Sequence, residues 1–232
     1  LEPSWITGVE LTGVRLVKMP ETAEERATDV AIPRAHARIG LLALLGGTVS
    51  ATFDADVAGG TIEGAYEENP ERLHIDAALD AVRLNRVSIL RSYFSLPIKG
   101  QLGGTVDLTI AEEDADTEGS LDLRLTDATV GDGQAKLKFG DMREGVTVEE
   151  VGVGTLVIAG EVGDEGVMEL SRLQGRGDDV QIDGAGSIRV NRRITSSRVD
   201  VLLRLAFSEA YREGNPRTGA MFGILDLDPR LR

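Results

Sequence analysis

Apolar and polar side chains alternate with a period of two in segment after segment of this chain, the pattern of a strand with one dry and one wet face. Between Thr48 and Val57, the residues Val49, Ala51, Phe53, Ala55 and Val57 share one parity, and Ser50, Thr52, Asp54 and Asp56 share the other. Leu73, Ile75, Ala77 and Leu79 alternate with His74, Asp76 and Ala78. Val106, Leu108 and Ile110 alternate with Asp107 and Thr109, and Leu121, Leu123 and Leu125 with Asp122 and Arg124. Val180 and Ile182 lead through Gly184 and Gly186 to Ile188 and Val190, and Val199, Val201 and Leu203 follow. One-sided strands of this kind belong to antiparallel sheets. The expected fold is mainly β: a curved antiparallel sheet, either an open groove or sandwich-like, with a few short helices.

Interruptions of the pattern place the connections. Val9 and Leu11 lie on one parity and Val14 and Leu16 on the other, which predicts a bulge at Gly13. Turns are predicted at Ala58-Gly59-Gly60, at Gly131-Asp132-Gly133 and from Gly163 to Gly166. Leu41 to Leu45 is long enough for one helical turn before Gly46-Gly47. Val87, Leu90, Arg91 and Phe94 stand at helical spacing within Asn85–Ser95, which Pro97 closes. Ser208 to Glu213 reads as a last helical turn capped by Ser208. Acidic loops are expected at Pro20–Asp29, Glu112–Gly119 and Asp141–Glu150. The chain reads as one domain over residues 1–232, with residues 112–119 the candidate hinge. Leu45-Gly46-Gly47-Thr48-Val49 and Leu102-Gly103-Gly104-Thr105-Val106 echo each other, a hint of similar hairpin units rather than a repeat array.

Composition narrows the function classes. The 25 basic and 39 acidic side chains give a net charge of −14, which repels nucleic acid and anionic lipid head groups. The charge is uneven: residues 1–171 hold 14 basic and 31 acidic groups, a net of −17, whereas residues 172–232 hold 11 and 8, a net of +3. The two ends of the chain therefore offer different surfaces to a partner. With no cysteine, disulfides, thiolate catalysis and cysteine-ligated zinc are excluded. The longest apolar run, Ile39 to Leu45, is far short of the roughly 20 residues that span a bilayer as a helix.

Candidate chemistry is sparse. The two histidines, His36 and His74, are 38 positions apart and nothing in the pattern brings them together. His74 falls on the polar side of its strand. Nucleophile elbows and phosphate-binding loops are missing. Asp114-Ala115-Asp116-Thr117-Glu118-Gly119 imitates the start of a calcium loop, with oxygens at Asp114, Asp116 and Glu118. The twelfth position, which needs a bidentate glutamate, is Leu125, so at most weak calcium binding is expected. Arg176-Gly177-Asp178 matches an integrin-recognition tripeptide and is explained as well by a strand turn. Asp54, Asp56, Asp107 and Asp122 lie opposite apolar faces, as solvated strand residues do. The expectation is a non-enzyme with no catalytic residue, no cofactor and no dedicated metal site.

A resemblance rests on three stretches. Pro3 to Leu16 (PSWITGVELTGVRL), Ile39 to Gly64 (IGLLALLGGTVSATFDADVAGGTIEG) and Leu96 to Val106 (LPIKGQLGGTV) resemble the type II secretion system protein N family and its AsmA-like relatives. The strand, short helix and end of the chain between Thr195 and Leu225 are compatible with it. The motif residues serve turns and strand packing, and none implies catalysis. The resemblance implies a periplasmic domain behind an inner-membrane anchor outside this chain. It implies a structural or accessory role in protein secretion, with other secretion subunits as partners. The AsmA-like relatives imply the alternative of a β groove that holds or transports lipid.

Overall fold

A computed structural model describes residues 8–18, 28–87, 90, 96–113, 116–137, 146–192 and 196–216. Among the described residues thirteen strands follow one another: β1 (Gly8–Lys18), β2 (Thr28–Ile39), β3 (Val49–Val57), β4 (Gly60–Glu68), β5 (Arg72–Arg83), β6 (Ile98–Ala111), β7 (Glu118–Val130), β8 (Lys136–Leu137), β9 (Val146–Thr147), β10 (Val151–Val162), β11 (Val167–Arg176), β12 (Val180–Arg189) and β13 (Arg198–Phe207). Two short α-helices, α1 (Leu41–Leu45) and α2 (Glu209–Gly214), and two 3-10 turns, Leu84–Arg86 and Asp164–Gly166, complete the described elements.

Eleven strands form one antiparallel sheet in chain order, β1 to β7 and then β10 to β13. The small β8–β9 hairpin sits in the β7–β10 connection. Within this sheet each strand pairs with the next of the eleven in chain order, so the alternating faces become two continuous faces of one sheet. The expectation of a mainly β, antiparallel fold holds. Two buried clusters lie along one face. The first contains Leu96, Leu125, Ala128, Val148, Val151, Val153, Val180 and Tyr211. The second contains Leu73, Leu108, Ile110 and Met168, with Tyr66 and Ile188 packed against it.

The sheet is strongly curved. β5 and β12 stand five strand spacings apart, about 24 Å in a flat sheet. Arg192, just past β12, nevertheless donates hydrogen bonds to the carbonyl oxygens of Pro70, at 2.7 Å, and Asn69 in the β4–β5 turn. Only a sheet rolled toward itself at that end allows this. Register shifts between Leu79 and Val82 in β5, and between Lys99 and Gln101 in β6, add twist along the way. Gly104 in β6 makes a close approach possible. Its φ is +130°, and a Cβ there would lie 2.0 Å from the Asp122 carbonyl oxygen of β7.

Several expectations need correction. Gly13 takes φ +66°, but β1 and β2 pair in unbroken register from Gly8↔Arg38 to Lys18↔Thr28, so no bulge forms. Thr28 and Asp29 belong to β2 rather than to a loop, and Val146 and Thr147 form β9 within the expected Asp141–Glu150 loop. Of the helix expected over Asn85–Ser95, Asn85 and Arg86 belong to a 3-10 turn, Leu84–Arg86, and Leu90 is helical; residues 88, 89 and 91–95 lie outside the described residues. The two Leu-Gly-Gly-Thr-Val echoes are not equivalent: Gly46 and Gly47 turn the chain after α1, whereas Gly103 and Gly104 lie inside β6. The candidate hinge connects β6 to β7. These strands pair from Ile98↔Val130 to Thr109↔Glu118.

Candidate functional site

Directly paired residues share a face, so the register carries the inner face from strand to strand. It runs through Phe53, Gly64, Ala77 and Val106 and on to Leu121, and through Leu123, Ile158, Leu173, Gly184 and Leu203. Between β3 and β13 its positions are aliphatic, aromatic or glycine with one exception, Glu68 at the end of β4. The two clusters bury opposite ends of this apolar lining. Leu123 and Ile158 between them stay half-buried.

Glu68 is held in a polar clamp. Tyr66 donates its hydroxyl to the Glu68 carboxylate, and Arg192 donates to the same group at 3.4 Å. The Tyr66 hydrogen bond, and after it Arg192, hold the Glu68 carboxyl below the usual carboxylate range against desolvation. The same hydrogen bond, with burial, raises the Tyr66 phenol above its ordinary value. No sequence pattern signals this clamp, because Arg192 and Glu68 are 124 positions apart.

The apolar lining stays uncovered toward both edges of the sheet. At the β1 side, Val9 and Leu11 are each 45% exposed, Ile39 and Val49 flank α1, and Leu45 of α1 is 86% exposed. At the other edge Val199 is 67% exposed, and Leu203 and Leu205 are exposed beside it. Exposed apolar groups clustered at two sheet edges are the kind of surface that binds a partner.

The outer face is polar. An open cavity of ≈ 810 Å³ lies against Glu10, His36, Asp54, Glu63 and Asp76. His36 stands 3.6 Å from Glu10 and 3.7 Å from Asp54, and Asp56 pairs with Arg34 at 3.2 Å. His74 is separate, hydrogen-bonded to Thr109 at 3.0 Å. The two histidines are therefore not brought together. Among the described residues no three His, Asp or Glu side chains are placed to hold a metal ion. Of the calcium-like turn, Asp114 lies outside the described residues. The Thr117 hydroxyl accepts a hydrogen bond from the Ala111 N–H at 3.1 Å, which ties the turn to β6. Leu125 is buried in the first cluster. The Arg176-Gly177-Asp178 tripeptide falls on the β11–β12 turn, where Asp179 accepts a hydrogen bond from the Gly152 N–H at 2.7 Å. These residues serve the turn.

No family of known proteins, no curated protein and no solved structure matches the chain.

Proposed function

We propose that this chain is a non-catalytic periplasmic component of the bacterial type II secretion machinery, anchored to the inner membrane outside this sequence and working through contacts with other secretion subunits. The observation that carries the reading is the uncovered apolar surface of β1, the end of β2, α1 and the start of β3, where Val9, Leu11, Ile39, Leu44, Leu45 and Val49 are exposed. A surface of that kind loses little by binding a protein and much by staying in water. The resemblance of Pro3–Leu16, Ile39–Gly64 and Leu96–Val106 to protein N supplies the machine to which it belongs. The acidic face of the first 171 residues fits docking to a basic partner.

A second reading, an AsmA-like groove for lipid, has its own support in the apolar inner face that runs from β3 to β13 with Glu68 its one charge. Against it, the two buried clusters fill that face at both ends. The test is a photo-crosslinking residue at Leu45, expressed in an envelope that carries the secretion machinery. Adducts to other secretion subunits are the expected result. Phospholipid retained by the purified chain in native mass spectrometry, with no protein adduct at Leu45, would replace the first reading by the second.

A further inference from the structure

Among the described residues β13 is the last strand of the sheet, and apart from its charged side chains it has none of the devices that blunt an open edge. Its pairing with β12 runs without a shift from Val180↔Phe207 to Arg189↔Arg198, and it contains no proline and no bulge. Eight of its ten residues are exposed, so the strand is open on both faces as well as along its free edge. Regular, exposed, apolar edges of this length recruit another strand.

The side chains say which strand. The outer face of β13 presents Arg198, Asp200, Leu202, Arg204 and Ala206, and Leu202 is 58% exposed on a face that is otherwise polar. Among the described residues, neither the Asp200 nor the Arg204 side chain has a hydrogen-bond or ion-pair partner. Arg204 lies opposite Asp183, but that carboxylate is taken by Arg176 at 2.8 Å. Asp200 lies opposite Ser187.

We infer that β13 pairs antiparallel with β13 of a second copy of this chain, about a two-fold axis through Leu202. In that register Asp200 faces Arg204 of the second copy, and the symmetry repeats the pair on the other side. Leu202 meets Leu202. On the inner face, Val201 meets Leu203 and Val199 meets Leu205, each twice. Arg198 falls opposite Ala206, so no like charges meet. Neighbouring registers that keep the inner faces on one side lack this match. Centring on Val201 sets Arg198 against Arg204, centring on Asp200 sets two aspartates together, and centring on Arg204 sets two arginines together. Centring on Leu203 avoids like charges but leaves Asp200 opposite Ala206 and Arg204 opposite Leu202, with no ion pair, so the charge pattern favours the register centred on Leu202. The result is an isologous dimer with a continuous sheet across the axis. It leaves the β1 side, on which the secretion reading rests, free in both copies.

Sedimentation equilibrium on the purified chain tests the inference. The wild-type chain forms dimers, and Asp200→Arg or Arg204→Asp alone weakens the dimer by about tenfold or more, because each puts like charges at both symmetry-related contacts. Mixing the two single variants restores opposite charges at both contacts and regains the dimer, as does the double exchange. The chain has no cysteine, so Leu202→Cys gives a covalent dimer on oxidation and Val9→Cys on the opposite edge does not. The exposure of Asp200, Leu202 and Arg204 keeps these changes compatible with folding, which circular dichroism verifies. A wild-type chain that stays monomeric at high micromolar concentration overturns the inference. So do single variants that dimerise as tightly as wild type, or disulfide dimers at Val9 in place of Leu202.

Discussion

Arg192 reaches the Pro70 carbonyl at 2.7 Å although five strand spacings of sheet lie between their strands. The same guanidinium donates to Asn69 O and to the Glu68 carboxylate, so one side chain ties the connection after β12 to the β4–β5 turn. It fastens the roll of the sheet beside the second buried cluster, which itself draws on β5, β6 and β11.

Replacing Arg192 by Ala removes three hydrogen bonds, taking that donor from the Asn69 and Pro70 carbonyl oxygens while Glu68 keeps Tyr66. The unfolding free energy should fall by about 1–3 kcal/mol. Arg172→Ala, at an exposed arginine of β11, should stay within about 0.5 kcal/mol of wild type. Urea unfolding of both variants checks this, and equal midpoints would mean that the clamp does not hold the curve.

The Tyr66–Glu68 pair gives stability a pH signature. The Glu68 carboxyl is lowered in the fold, so its contribution is present above the ordinary glutamate pKa and is lost as pH falls through the lowered value, below about pH 4.3. The Tyr66 phenol is raised, so its contribution is present below about pH 10 and is lost as pH rises through the raised value. The stability difference between wild type and Tyr66→Phe should form a plateau at neutral pH that declines on both sides. A difference that does not change with pH would contradict the assignment.

Two glycines with positive φ should respond unequally to alanine. At Gly104 the new Cβ would lie 2.0 Å from the Asp122 carbonyl oxygen, so Gly104→Ala should cost about 3 kcal/mol or more. Gly13 has φ +66° with nothing within 4 Å of an added Cβ, so Gly13→Ala should cost only the left-handed backbone penalty, about 1 kcal/mol. Thermal unfolding of the two variants measures the contrast.

Calcium should bind weakly if at all. Leu125 stands at the twelfth position of the calcium-like turn and is buried in the first cluster, where it cannot ligate. Calorimetric titration should give a dissociation constant of about a millimolar or weaker. Micromolar binding abolished by Asp116→Ala and Glu118→Ala would show a true site.

The sequence by itself determined where β3, β5, β6, β7, β12 and β13 run and which side of each is apolar. Val49 to Val57, Leu73 to Leu79 and Leu121 to Leu125 fall in β3, β5 and β7 with the parity that their alternation predicts. Ser208 caps α2 as expected, its hydroxyl accepting from the Tyr211 N–H at 3.2 Å. These features are local: the side-chain period of a strand and the donors of a helix start are set by a few consecutive residues.

Tertiary structure decided the rest. Gly13 sits at a phase change that looks like a bulge from one strand alone. β2 changes phase at the same level, with Val30 and Ile32 on one parity and Ala35 and Ala37 on the other, so the register is kept. The two Leu-Gly-Gly-Thr-Val stretches differ because one has β7 alongside it and the other follows α1 at the end of the sheet. The Arg192 clamp, the two clusters and the open β13 edge depend on twist and register shifts accumulated over many strand pairs. Periodicity fixes the face of each side chain, but twist summed across the sheet fixes which distant faces meet, and no short stretch of sequence contains that sum.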